Sequence, residues 1–284
     1  TENHNLKQIK LFALSSVQPR HLKPINMKTL QKFLLLILPF FAACTKDDGG
    51  GTPAPETMYY PPTTGTTWET TTIASLGWNQ SGVQPLKDYL QLKNSKSFMI
   101  LVNGRIVMEE YFDGHTAGTT WQWNSAGKTL ATAATGIAQQ EGLVNINTSV
   151  STYLGAGWTS APANKENLIT SKHLLAMTSG LNDASNLVTT SNLTYLADAG
   201  TRWSYHNVFQ KLMDVVAAAS SQNFETYFNA KLKNKLGMDG SWNNGIIFKV
   251  YHSNTRSMAR FGILALNKGK WDNDNFNGYG ILTS

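Results

Sequence analysis

The chain has 284 residues, 41% of them apolar, enough for one large domain or two small ones with a packed core. Its net charge of +6 and pI of 9.2 suggest a polyanionic partner until the charges are located. Residues 1–43 hold Lys7, Lys10, Arg20, Lys23, Lys28 and Lys32 against Glu2 alone, which leaves the rest with 18 basic and 17 acidic residues of the chain's 24 and 18. So neutral a body carries no basic stripe to follow a phosphate backbone, and a nucleic-acid binder is excluded.

The front segment reads as a targeting signal. Met27-Lys28-Thr29-Leu30-Gln31-Lys32 is a short basic region, and residues 33–43 form an apolar run. That run is too short to cross a bilayer, which takes about 20 apolar residues. It suits the core of a signal peptide, roughly 7 to 15 residues followed by small side chains. Phe41-Ala42-Ala43-Cys44 supplies those and resembles the lipobox of bacterial lipoproteins, in which the cysteine is acylated and becomes the new N-terminus. Cys44 is the only cysteine; the plain alternative is a free buried thiol. Two or more acyl chains would anchor the protein stably. Lys46-Asp47-Asp48 resembles the acidic export tag of some Gram-negative surface lipoproteins, and a solvated charge run reads it equally well. The expected organisation is therefore an upstream extension over 1–26, a lipoprotein signal over 27–44 and a flexible Gly- and Pro-containing tether over 45–58. A single domain over 59–284 follows, in a protein of the Gram-negative cell envelope held in the outer membrane.

Within the domain, residues 83–92 read as a helix with Pro85 early in it. Residues 98–102 and 105–112 are β-rich runs separated by Asn103-Gly104, the pair that best tolerates the positive φ angles of a type I′ hairpin. From Ser125 to about residue 138 the side chains are small or apolar all round, which predicts a buried helix. Shorter helices are expected around 173–178 and 208–220, with a loop-rich stretch of Asn and Ser between, and a further helix over 255–266. No internal repeat is apparent.

The chemistry concentrates at two places. In Ser125-Ala126-Gly127-Lys128 the two polar residues are three apart, so on a helix they share a face and the lysine amine can approach the hydroxyl. A serine is a weak nucleophile without a base, and a desolvated lysine can serve as one. The helix N-terminus also favours developing negative charge. Alone, the pattern equally fits an N-cap serine with a surface lysine. The second place is Tyr205-His206-Asn207, which follows Gly200-Thr201-Arg202-Trp203-Ser204.

Together these motifs resemble the serine beta-lactamase and penicillin-binding protein family, in particular its class C, esterase and 6-aminohexanoate-dimer hydrolase branch. Further landmarks agree in order: the hairpin within 98–112, Thr178-Ser179-Gly180-Leu181, Leu236-Gly237-Met238, and Met258-Ala259-Arg260-Phe261-Gly262. The resemblance implies an α+β fold of the beta-lactamase/DD-peptidase type, with an antiparallel sheet flanked by helices and a mostly helical subdomain. It implies Ser125 as the acylated nucleophile, Lys128 as its general base and Tyr205 as a proton relay to the leaving group. Asn207 would contact substrate or Lys128. His206 reads as structural, the histidines show no metal-ligand spacing, and neither a metal nor a cofactor is expected. No G-x-S-x-G elbow is present, which argues against an α/β-hydrolase triad.

The departure lies at the end. No Lys-Thr-Gly or His-x-Gly follows, and the chain stops at Gly278-Tyr279-Gly280-Ile281-Leu282-Thr283-Ser284. The expectation is a C-terminally truncated domain without its last strands and terminal helix, with an unpaired sheet edge and half an oxyanion hole, and therefore of doubtful activity. The expected reaction is hydrolysis of an ester, a β-lactam or a linear amide, or of a peptidoglycan-like substrate, through an acyl-enzyme on Ser125. Met177 and the tryptophans Trp121, Trp123 and Trp203 lean toward the esterase and amide-oligomer branch. The competing reading is a non-catalytic surface lipoprotein that binds peptidoglycan fragments or glycans with the same fold.

Overall fold

The computed structural model describes residues 57–271, apart from residue 246. The extension over 1–26, the signal over 27–44 with Cys44 and nearly all of the tether lie outside the described residues, as does the stretch 272–284. Among the described residues, no helix is long and apolar enough to cross a membrane.

Helix α1 (Val83–Leu92) forms where the sequence predicts it and leads into an antiparallel hairpin of β1 (Ser97–Val102) and β2 (Arg105–Tyr111). Val102 stands opposite Arg105, so the loop is two residues long, and Asn103 (φ 47°) and Gly104 (φ 79°) both take the left-handed backbone that such a turn requires. Gly104 is also pressed against the segment that enters the domain: a Cβ there would lie 1.8 Å from the Tyr59 carbonyl oxygen, a clash no side chain can relieve. Tyr59 N–H donates to Asn103 O at 2.9 Å and the Trp68 indole to Gly104 O at 2.7 Å, which straps residues 59–68 over the turn.

A second sheet has the order β3-β5-β4, from β3 (Trp121–Gln122), β4 (Ser241–Asn244) and β5 (Lys249–Ser253), all antiparallel. The single antiparallel sheet expected from the sequence is thus present as two separate pieces among the described residues. Helix α9 (Thr255–Leu266) lies against β1, where the Thr255 hydroxyl donates to Ser97 Oγ at 2.6 Å.

Between β3 and β4 in the chain runs the mostly helical part: α2 (Gly127–Gln140), α3 (Ser151–Leu154), α4 (Ala163–Glu166), α5 (Ser171–Leu175), α6 (Lys211–Ser220), α7 (Phe224–Phe228) and α8 (Asn234–Leu236). Helix α2 is as buried as its composition predicts, and its small side chains let α6 approach closely, with Leu212, Val215 and Val216 fully buried. The buried Glu166 carboxylate accepts from Gly157 N–H and Thr159 N–H, both at 2.8 Å, and from the Thr159 hydroxyl at 2.6 Å. Burial pushes this acid upward, but the hydrogen bonds outweigh it and hold it below its ordinary value.

Two predicted helices shift. The one expected over 173–178 runs from Ser171 to Leu175, because Thr170 caps it early by accepting from His173 N–H and Met177 turns left-handed (φ 56°). The carbonyls of Met177 and Thr178 then accept from Ser204 N–H (2.9 Å) and Gly200 N–H (2.8 Å) instead of continuing a helix. The one expected over 208–220 opens with a tight turn, Asn207–Gln210, before α6 begins.

Candidate active site

The site begins at the end of β3. Trp123 N–H donates to Tyr251 O at 2.8 Å and its indole N–H to Ser253 Oγ at 2.7 Å, which pins the strand to β5. Asn124 then adopts a left-handed backbone (φ 47°), a conformation asparagine tolerates better than most residues, and the chain turns sharply. Ser125 sits exposed in that turn, and α2 starts two residues later. The nucleophile candidate is therefore held in a tight turn before the helix and not within it.

Beneath the turn lies a cluster of rings packed edge-to-face or tilted. Tyr251 is 5.6 Å from Trp123, 5.2 Å from Trp242 and 5.4 Å from Phe228, and Phe224 packs on Trp242 at 5.7 Å. The Tyr251 hydroxyl donates to Asp239 O at 2.6 Å. The cluster reaches the first residue of α2, since Trp242, Tyr251 and Trp123 all lie 3.7 to 3.8 Å from where a Cβ on Gly127 would stand. The start of the helix is thus seated on aromatic side chains that are themselves hydrogen-bonded or interlocked.

Lys128 projects back along this face as the three-residue spacing predicts, and its Nζ donates to Ser125 Oγ at 3.2 Å. The same ammonium lies 5.0 Å from the centre of the Tyr205 ring and 5.6 Å from that of Phe248. The Tyr205 phenol also hydrogen-bonds with the Ser125 hydroxyl. That bond draws it below its ordinary value; burial opposes the shift, and Lys128 adds to it through a hydrogen bond and its charge. Ser125, Lys128 and Tyr205, chosen from two motifs some eighty residues apart, thus meet in one hydrogen-bonded group. Tyr205 remains 54% exposed, so the group is open to an incoming molecule.

Tyr205 lies in a segment without regular secondary structure, and side chains hold it in place. Arg202 donates to the Asp183 carboxylate at 2.8 Å, and the Ser204 hydroxyl bonds to the same oxygen. His206 Nε2 donates to Ser185 O at 2.7 Å while its Nδ1 accepts from Val208 N–H, so this buried histidine is structural, as read. With Arg202 and Ser204 turned toward Asp183, Trp203 (65% exposed) and Tyr205 are left facing outward. Arg202 first, and Ser204 second, lower the Asp183 carboxyl to about 2.

For Asn207 the expected contact is substrate or Lys128, and only the second lies within the chain itself. Its amide nitrogen donates to Asn186 O at 3.0 Å, tying the segment to the same loop, and it makes no hydrogen bond to Lys128. Of the three tryptophans thought to surround the site, Trp123 is a core residue at 5% exposure, because its indole is consumed by the bond to Ser253. Trp121 and Trp203 are exposed. Sequence reasoning missed Asn124, Asp183 and Phe248. Only Asn124 had a local signal, an αL-tolerant residue directly before the serine; the other two reach the site from loops that no motif marks.

Because Asp183 ionises near 2 in the folded chain, its contribution is complete above the ordinary carboxylate range and is lost only as the pH falls through about 2. Hydrogen exchange at Ser204 N–H should therefore stay protected between pH 4 and pH 7. Asp183→Asn should speed that exchange by about tenfold at pH 7, the scale of a lost charge-assisted hydrogen bond. Equal protection in the variant would show that Asp183 does not hold the segment.

The Beta-lactamase family model matches residues 91–274, which include both motifs. No curated protein sequence matches the chain. Among solved structures it resembles a provisionally named beta-lactamase of Bacteroides dorei DSM 17855, with a TM-score of 0.60 and 16% identity over 72% of this chain and 68% of the other. It likewise resembles a provisionally named 6-aminohexanoate-dimer hydrolase of Bacillus anthracis (TM-score 0.60, 17% identity, 77% of this chain and 67% of the other). A class C beta-lactamase solved with cefoxitin is a third neighbour (TM-score 0.58, 18% identity, 72% and 69%). The chain thus spans about two thirds of the length of these neighbours. At these identities the neighbours speak for the α+β fold, and the family match, over well more than half of the chain, makes this protein a member of the serine beta-lactamase-like family.

Proposed function

We propose that this protein is a serine hydrolase that passes an acyl group from an ester, a β-lactam or a linear amide through Ser125 to water. The observation that carries the reading is the three-way contact of Ser125 Oγ with Lys128 Nζ and the Tyr205 phenol. In the first step Ser125 Oγ forms a bond to the substrate carbonyl carbon and its proton passes to the Lys128–Tyr205 pair. As the tetrahedral intermediate collapses, the bond to the leaving group breaks and that proton moves to the departing atom by way of Tyr205. Water then attacks the acyl-enzyme, the pair takes a proton from the water, and Ser125 leaves with it. The pair can accept a proton only when it is one short of full protonation, and the lowered Tyr205 makes that state easier to reach.

Intact mass after treatment with a fluorophosphonate tests this reading. One adduct at Ser125 is expected, with none on Ser125→Ala and turnover of an activated ester reduced about 1,000-fold or more in that variant. A folded chain that takes up no adduct at Ser125 would favour the non-catalytic binding reading instead.

We further propose that Cys44 carries a lipid anchor and that the domain is displayed on the outer membrane of a Gram-negative cell. The basic region, the short apolar run and the small residues before a lone cysteine support this. Mass analysis of membrane-bound protein should find Cys44 as an acylated N-terminus, and Cys44→Ser should release the protein from membranes. An unmodified Cys44 in soluble wild-type protein would contradict it.

A further inference from the structure

Beside the reacting group lies a groove of about 310 Å³ that the family motifs do not explain. Its apolar wall is Leu187, Val188, Met213 and Ile247, and its charged rim is Lys211, Asp214 and Lys249. Gln210 and Lys249 form a partition between it and the catalytic lysine. Lys249 N–H donates to Gln210 Oε1 at 3.1 Å, and Gln210 Nε2 donates back to Lys249 O at 3.4 Å. On the other side of that partition, Gln210, Met213 and Lys249 line a small recess together with Lys128 and Phe248. The groove therefore opens within one side chain of the Lys128 ammonium.

Its charge is unbalanced. Lys211 is paired with Asp214 at 3.0 Å, whereas the Lys249 ammonium, on an exposed side chain, has no ion pair or hydrogen-bond partner among the described residues. A groove with one apolar wall, a polar rim and one spare positive charge suits a short aliphatic arm that ends in an anion. Direction follows from the placement of Tyr205 and Phe248, which lie against the Lys128 ammonium at 5.0 and 5.6 Å. A leaving group collects its proton from Tyr205 and departs on that side. The part of the substrate that stays on the serine is left with the Phe248 side, where the groove is.

We propose that this groove is an acyl-chain subsite that selects substrates whose acyl arm is a short aliphatic chain ending in a carboxylate, with Lys249 as the group that reads the charge. The proposal rests on the serine-hydrolase reading for its direction, and it can be tested apart from turnover. On Ser125→Ala protein, binding of monomethyl adipate and of methyl hexanoate is compared by calorimetry or ligand-detected NMR. The two differ only in the terminal carboxylate. The anion should bind about fivefold more tightly, the scale of a partly exposed charge pair. The difference should shrink as salt is raised. In the double variant with Lys249→Gln, the ratio of the two affinities should fall close to one.

Equal binding of the two esters, or a preference that survives Lys249→Gln, overturns the subsite. Charge-selective binding in a protein whose Ser125 takes no fluorophosphonate would retain the anion-binding groove and sink the hydrolase reading alone. Fluorophosphonate labelling without charge selectivity would do the reverse. Circular dichroism of the Lys249→Gln protein guards against misfolding, and Lys249→Arg, which keeps the charge, should restore the preference.

Discussion

The placement of Ser125 depends on one short junction, the two hydrogen bonds by which Trp123 is fastened to β5. One comes from its backbone to Tyr251 and the other from its indole to Ser253. A side chain cannot be fixed more tightly than the backbone that carries it, and the turn at Asn124 is tight enough that its two ends must both be held. Trp123 holds the upstream end. The ring cluster of Tyr251, Trp242, Phe224 and Phe228 holds the downstream end by filling the space under Gly127. Ser125 is exposed in the short turn between these two buried anchors, Trp123 and Gly127.

Around that fixed point the polar chemistry is assembled from three separate parts of the chain. The tight turn over Asn124–Ala126 and the first turn of α2 together return Lys128 to the serine, three residues on. Tyr205 has no such geometry to rely on, and it is oriented by the alternation of its neighbours: Arg202 and Ser204 turn toward Asp183 and so drive Trp203 and Tyr205 outward. His206 and Asn207 reinforce the same loop with bonds to Ser185 and Asn186. The turn into β5 supplies Phe248, and the first residue of that strand is Lys249, which lines both the recess beside Lys128 and the neighbouring groove.

Features encoded locally were legible in the sequence. Asn103-Gly104 specified its turn through the positive φ of both residues, and the helices at 83–92 and 255–266 ended where composition and capping put them. The Ser125–Lys128 approach followed from residue spacing alone. What stayed hidden depends on distant partners. Trp123 looked like a site residue because nothing local shows that its indole meets Ser253, 130 residues on. Met177 looked helical because the residue that claims its carbonyl, Ser204, lies far along the chain. Asn207 matched a family position, and its bond to Asn186 O, twenty-one residues back, has no local signal. Asp183 and Lys249 belong to no motif at all, and their significance is visible only once the chain is folded.

The central claim is that Tyr205 and Lys128 act on Ser125 as one proton-accepting group, and the pH dependence of fluorophosphonate labelling tests it most directly. In wild-type protein the labelling rate should rise with pH along a limb whose apparent pKa lies below the value of about 10 for a free tyrosine, and Tyr205→Phe should displace or abolish that limb. Superimposable profiles for the two proteins would contradict the account.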